Sequence, residues 1–185
     1  MQDLWVFAYG SLMWQPGFEY EERAGARLLG YHRAFCVYSH VHRGTPERPG
    51  LVFGLDAGGS CRGIAFRVAA EKAAATRAYL EERELVTSVY HDRMKQIELI
   101  STDGATHPAR VEALCFLVDR THEQYAGKLD FETTVRLIAE GEGRSGRNPD
   151  YLFATVDHLR AIGIHDAPLE ALDAAVRERL PAGRG

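Results

Sequence analysis

No apolar run in this sequence approaches the ~20 residues that a membrane-spanning helix needs, so no membrane anchor is expected. No positively charged stretch followed by an apolar one opens the chain, which argues against a secretory signal peptide. Basic residues are the minority. There are 22 Lys and Arg against 26 Asp and Glu, a formal net charge of −4. Without a basic stripe, nucleic-acid binding is not expected. Cysteine is scarce: Cys36, Cys61 and Cys115 are odd in number, far apart and without C-x-x-C spacing. They read as free thiols on strands in a reducing cytoplasm, not as a disulfide framework or a zinc knuckle.

Several chemical signatures are also missing. No G-x-G-x-x-G follows a strand, and strands and helices do not alternate, so a dinucleotide fold is not expected. His40 and His42 have the spacing of two ligands on one side of a strand. They lack a third and fourth ligand, and there is no H-E-x-x-H, so no metal is expected. Ser11 is not in a G-x-S-x-G elbow. Arg144 to Asn148 lacks the Lys-Ser/Thr ending of a P-loop. No histidine stands near a cysteine in a nucleophile signature.

What is present is an ordinary globular composition, 185 residues with 45% hydrophobic and 26% charged. That length suits one domain with a real core, covering residues 1–185, with 181–185 expected to fray. Leu4 to Ala8 is an unbroken apolar run and reads as a strand buried on both faces. It lies so near the N-terminus that no leader is expected before it. Gly10 and Ser11 break it. Glycine reaches backbone angles closed to other residues, and successive exposed amides in such a turn can cradle an anion. The same residues also suit a plain strand exit.

Trp14 to Arg23 reads as a loop, and Ala26 to Ser39 as one strand or two broken near Gly30. His40 to Gly50, rich in Gly and Pro, reads as a long loop with a function. Leu51–Leu55 and Cys61–Val68 read as strands joined by a hairpin at Ala57-Gly58-Gly59-Ser60. Ala69 to Glu84 is the clearest helix. Val86–Ile100 and Thr106–Val118 read as strands around a Thr102-Asp103-Gly104 turn. Asp130 caps a helix over 131–140, and Gly141 to Arg147 is a glycine-rich loop. Asn148 followed by Pro149 reads as a cap-then-proline start for a helix reaching Ile162, with Gly163 as its stop, and Asp166-Ala167-Pro168 starts another with Leu169, Leu172, Val176 and Leu180 on one face. Strands first and helices last, with hairpin connections, predict an α+β fold with a mainly antiparallel sheet. There are no internal repeats or linkers.

Glu84 closes the run Glu81-Glu82-Arg83-Glu84 at the end of the long helix. Such a run suits a solvated helix end. It also suits a general base, because the negative pole of the helix raises a carboxylate's pKa. In the earlier loop over His40 to Gly50, Arg43 is able to clamp a carboxylate at two points, or to stand in solvent with His42 and Arg48. Tyr151, one turn inside its helix, suits either a ligand or the core. Asn148 at that helix start is able to attract an anion.

Five stretches in order resemble the ChaC-like gamma-glutamylcyclotransferases. They are Tyr9-Gly10-Ser11-Leu12; Arg33-Ala34-Phe35 with His42 to Gly50; Tyr79 to Glu84; Gly143 to Leu152; and Gly163-Ile164-His165-Asp166. The resemblance spans roughly residues 4 to 170. It implies a small, partly closed β-barrel with helices packed outside. It also implies cleavage of glutathione, or of another gamma-glutamyl compound, to 5-oxoproline and the remaining amine. Through the family's R-E pair it places the catalytic glutamate at Glu84. Tyr9, Gly10, Ser11, Leu12, Arg43 and Tyr151 are then the expected substrate contacts, with no metal and no organic cofactor. Some members continue the pair as R-E-K-G-G-Y, whereas this chain continues Leu85-Val86-Thr87-Ser88-Val89-Tyr90, similar to the bacterial branch. The resemblance also leaves open a homodimer, a cyclotransferase for other gamma-glutamyl amines, and a non-catalytic ligand-binding or cation-transport regulatory protein on the same fold.

Overall fold

The computed structural model describes residues 2–84, 88–100 and 109–180. The opening apolar run forms β1, Leu4–Ala8, and Val6, Phe7 and Ala8 are fully buried. It has strand neighbours along both edges. It pairs antiparallel with β3, Gly50–Val68, Leu4 opposite Val68, and parallel with β5, Ala109–Val118, Trp5 opposite Ala113. β2, Glu22–Ser39, pairs antiparallel with β4, Tyr90–Ile100, which runs antiparallel to β5. The order β1-β3-β2-β4-β5 closes into a barrel, with a further parallel contact of Leu55 on Leu117. The α+β barrel, mixed but mainly antiparallel, is as expected.

β2 takes the unbroken form of the two expected, starting earlier, at Glu22, while β3 differs from the sequence reading. β2 is continuous over 18 residues, with Gly30 at φ +83° inside it. β3 is one strand of 19 residues, not two with a hairpin. Gly58 and Gly59 do take left-handed angles, φ +104° and +70°, but they bend the strand instead of reversing it. Pairing on either side holds both halves in the barrel: Leu55 with Leu117 before the bend, Ile64 with Ala8 after it. Arg120 clamps the bend, donating to Asp56 Oδ1 at 2.6 Å and to the Ala57 carbonyl at 3.3 Å.

The chain divides into two compact units. Met1–Ala34 and Gly54–His122 make the first, Phe35–Phe53 and Glu123–Gly185 the second. The first holds α1, Ala73–Glu84, which buries Thr76 and Leu80. The alanines ahead of it form a turn, closed by Lys72 N–H on the Ala69 carbonyl at 2.9 Å. The expected Thr102–Gly104 turn lies outside the described residues.

In the second unit, Asp130 caps α2, Phe131–Glu140, accepting from Thr133 N–H at 2.9 Å. Asp166 caps α4, Ala167–Arg179, through Leu169 N–H at 3.3 Å. Between them runs α3, Asn148–Ala161, after which Gly163 turns at φ +72°, as its position predicted. These three helices pack on one another, burying Val135, Ile138, Leu152, Val156, Leu159, Leu169 and Val176. Residues 141–147 are not a plain loop. Glu142–Gly143 and Gly146–Arg147, β6 and β7, form a small hairpin. Among the described residues no helix is long and apolar enough to cross a membrane.

Candidate functional site

In the first unit, β1 ends at Ala8, and after Tyr9 and Gly10 the residues Ser11–Met13 wind a single 3-10 turn. The first bond of that turn runs from Met13 N–H to the Gly10 carbonyl at 2.9 Å. The amides of Ser11 and Leu12 therefore lie outside its internal ladder, as at any helix start. Leu12 lies in the core, only 6% exposed. Gly10 sits at φ −130° and ψ −137°, so the turn does not depend on positive φ there. Arg33, nearly buried, holds the turn from below, donating from Nε to the Tyr9 carbonyl at 2.6 Å and from Nη2 to the Arg62 carbonyl at 2.7 Å.

Glu84 comes to this turn through Arg83. Arg83 Nε stands 3.1 Å from Glu84 Oε1. Its Nη2 donates to Ser11 Oγ at 3.0 Å. Its Nη1 donates to the Gln15 carbonyl at 2.8 Å and lies 3.2 Å from the Tyr79 hydroxyl. Tyr79 itself packs against Gly17, whose φ of +74° and lack of a side chain let the hydroxyl sit where a Cβ would be. Glu84 keeps 22% of its side-chain surface exposed, yet its carboxyl is deep enough to feel the loss of water. Burial raises its pKa, and the Arg83 charge and hydrogen bond offset part of that rise. A carboxyl so placed holds a proton more readily than one in water, which suits a group that takes up and returns a proton.

In the second unit, Arg43 donates from Nη1 to the Ser145 carbonyl at 2.6 Å and the Arg147 carbonyl at 3.3 Å. Its guanidinium lies over the Tyr151 ring, 5.2 Å from the centroid. Burial lowers the pKa of Arg43, with Tyr151 and Asp150 opposing. Tyr151 also meets the Phe53 and Phe35 rings at 5.3 and 6.2 Å. The loop 40–49 is less open than its composition suggested. Arg144 N–H donates to the Val41 carbonyl and Ser145 N–H to the His42 carbonyl, at 2.8 and 3.0 Å. A Cβ on Gly143 would stand 2.5 Å from the Val41 carbonyl, so the family-like glycines serve close backbone packing.

Asn148 does not cap α3; Arg147 holds that position. The Asn148 carboxamide is fully buried and bonds the backbone of Leu51. The sequence reading also missed Arg83 as part of the site. Its signal was present, the arginine ahead of Glu84, but its partners lie far away in sequence. The three cysteines are buried and unpaired by disulfides on β2, β3 and β5, and burial pushes the Cys115 thiol up to about 12. Among the described residues no three His, Cys, Asp or Glu side chains gather as a metal cluster.

Residues 4–179 match the family model described as ChaC-like protein. Over 177 residues the chain is 35% identical to the glutathione-specific gamma-glutamylcyclotransferase of Escherichia coli, covering 96% of this chain and 74% of that one. It is 32% identical to human glutathione-specific gamma-glutamylcyclotransferase 1, over 97% of this chain and 81% of that one. A crystal structure of a glutathione-specific gamma-glutamylcyclotransferase from yeast shares the fold, with a TM-score of 0.87 at 23% identity. It matches over 96% of this chain and 97% of that one.

Proposed function

This chain belongs to the ChaC-like family, and on that premise we propose that it is a gamma-glutamylcyclotransferase that cleaves glutathione to 5-oxoproline and Cys-Gly. The substrate's α-amine attacks its own γ-carbonyl carbon. A new C–N bond closes the five-membered lactam, and the old C–N bond to cysteine breaks. The nucleophile is tethered, so the protein chiefly selects the reactive rotamer. The amine arrives as an ammonium. Glu84 takes its proton and returns it to the departing amine. The amides of the Tyr9-Gly10-Ser11-Leu12 turn hold the substrate carboxylate or the developing oxyanion. Arg43 and Tyr151 are assigned as further substrate contacts. The reaction calls for no metal and no organic cofactor. We place the protein in the cytoplasm as a single-domain enzyme that binds neither nucleic acid nor membrane; a homodimer stays open.

The observation that carries this reading is the partly buried Glu84 carboxyl, 3.1 Å from an arginine that also donates to Ser11 of the opening turn. The test is incubation of the purified protein with glutathione and chromatography of the products. 5-Oxoproline and Cys-Gly in equal amounts are expected. A folded protein that binds glutathione and leaves it intact would favour the regulatory alternative. Turnover of other gamma-glutamyl amines alone would move the substrate, not the mechanism.

A further inference from the structure

Arg83 uses every nitrogen of its guanidinium on a partner within the first unit. Nε faces Glu84 at 3.1 Å. Nη2 meets Ser11 Oγ at 3.0 Å. Nη1 meets the Gln15 and Pro16 carbonyls at 2.8 and 3.5 Å and the Tyr79 hydroxyl at 3.2 Å. A guanidinium is a rigid fork of donors with no acceptor. The geometry therefore fixes more than distances. Arg83 occupies a lone pair of Ser11 Oγ, so the Ser11 hydroxyl cannot donate back to it. Its proton is left for another acceptor.

Resting on the cyclotransferase reading above, we propose that Arg83 is a positioning residue that locks the Glu84 carboxyl and the Ser11 hydroxyl into one unit. Ser11 is thereby a directed hydrogen-bond donor to a carbonyl or carboxylate oxygen of the substrate, while Glu84 faces its ammonium. The charge of Arg83 also acts on the protonation of Glu84, lowering a value that burial raises. Elsewhere on α1, Glu81 is engaged by Arg77 at 2.9 Å, and the titratable Tyr79 hydroxyl sits on Arg83 itself. Lysine supplies the charge without the fork, so charge and geometry separate experimentally.

Arg83→Lys, Arg83→Gln, Ser11→Ala and the Ser11→Ala/Arg83→Lys pair are compared in the full-length protein, with kcat, KM and pH profiles on glutathione. Arg83→Lys is expected to lose about 10²-fold in kcat/KM, the scale of a small misplacement of reacting groups. Its acidic limb should stay in place. Arg83→Gln should shift that limb to higher pH, because the charge that favours ionised Glu84 is gone. Ser11→Ala and the pair should lose no more than Arg83→Lys, since one unit is being broken. Wild-type kcat/KM in Arg83→Lys, or fully additive losses in the pair, would overturn the proposal. Should Arg83→Gln fail to fold, Arg83→Lys and the pair decide alone. Glu84→Gln separates the two levels. If it is inactive while the Arg83 variants behave as wild type, this inference fails and the enzyme reading survives. If it is fully active, the role given to Glu84 fails and this inference with it, whereas wild-type protein that leaves glutathione intact overturns the enzyme reading.

Discussion

The Asn148 side chain pairs with Leu51 as a neighbouring strand would. Its Oδ1 accepts from Leu51 N–H at 2.7 Å and its Nδ2 donates to the Leu51 carbonyl at 2.8 Å. Asn148 and Leu51 are both fully buried, so each bond satisfies a group that water cannot reach. Asn148→Ala should strand both Leu51 groups at about 1–3 kcal/mol each, a clear fall in Tm. Asn148→Asp should also destabilise, since it sets a carboxylate against a carbonyl. Calorimetry within about 0.5 kcal/mol of wild type for Asn148→Ala would show that the pairing contributes little.

Glu84→Gln should lose about 10²–10⁴-fold in turnover, the worth of general-base action, and keep the fold. The pH dependence of its stability is more telling. The fold raises the Glu84 pKa above 4.5, chiefly by burial, and so favours the neutral form. That contribution is fully present below 4.5 and is lost as pH rises through the raised value. Glutamine stays neutral throughout. The variant should therefore match wild type in acid and become the more stable of the two towards neutrality. Chemical denaturation across that range checks it; a variant less stable at neutral pH than in acid, relative to wild type, contradicts the assignment.

Gly44→Ala and Gly163→Ala should differ sharply. A Cβ at Gly44 would stand 2.1 Å from Gly50 N and 2.6 Å from the Arg48 and Ser39 carbonyls, all backbone atoms. The loop must then give way, at about 1–3 kcal/mol or more. At Gly163 the space is open and only the φ of +72° is strained, about 1–2 kcal/mol. Comparable melting curves for the two would count against close packing in the 40–50 loop.

Native protein treated with iodoacetamide at neutral pH should keep its turnover. All three thiols are buried, and Cys115 ionises only at about 12. Rapid modification with parallel loss of activity would point to a cysteine nucleophile instead.

What was legible in the sequence was local. The apolar run of β1, the Asp130 and Asp166 caps and the Gly163 stop each act within a few residues, and each was found in place. The Gly58-Gly59 pair was read as a reversal because only the neighbours of β3 in space reveal a bend. Asn148 was read as a cap because its partner, Leu51, lies 97 residues away. Arg83 was missed for the same reason: Ser11 and Gln15 lie 72 and 68 residues from it. Glu84 was singled out chiefly through family resemblance, since its burial has no local signal.

The most direct test of the central claim is turnover of glutathione in ¹⁸O-labelled water, with mass spectrometry of the glutamyl product. If the tethered amine is the nucleophile, water never enters the product. The glutamyl half should leave as unlabelled 5-oxoproline, and glutathione acetylated on its α-amine should not react. Free glutamate carrying ¹⁸O, or full turnover of the acetylated substrate, would contradict the mechanism and the role given to Glu84.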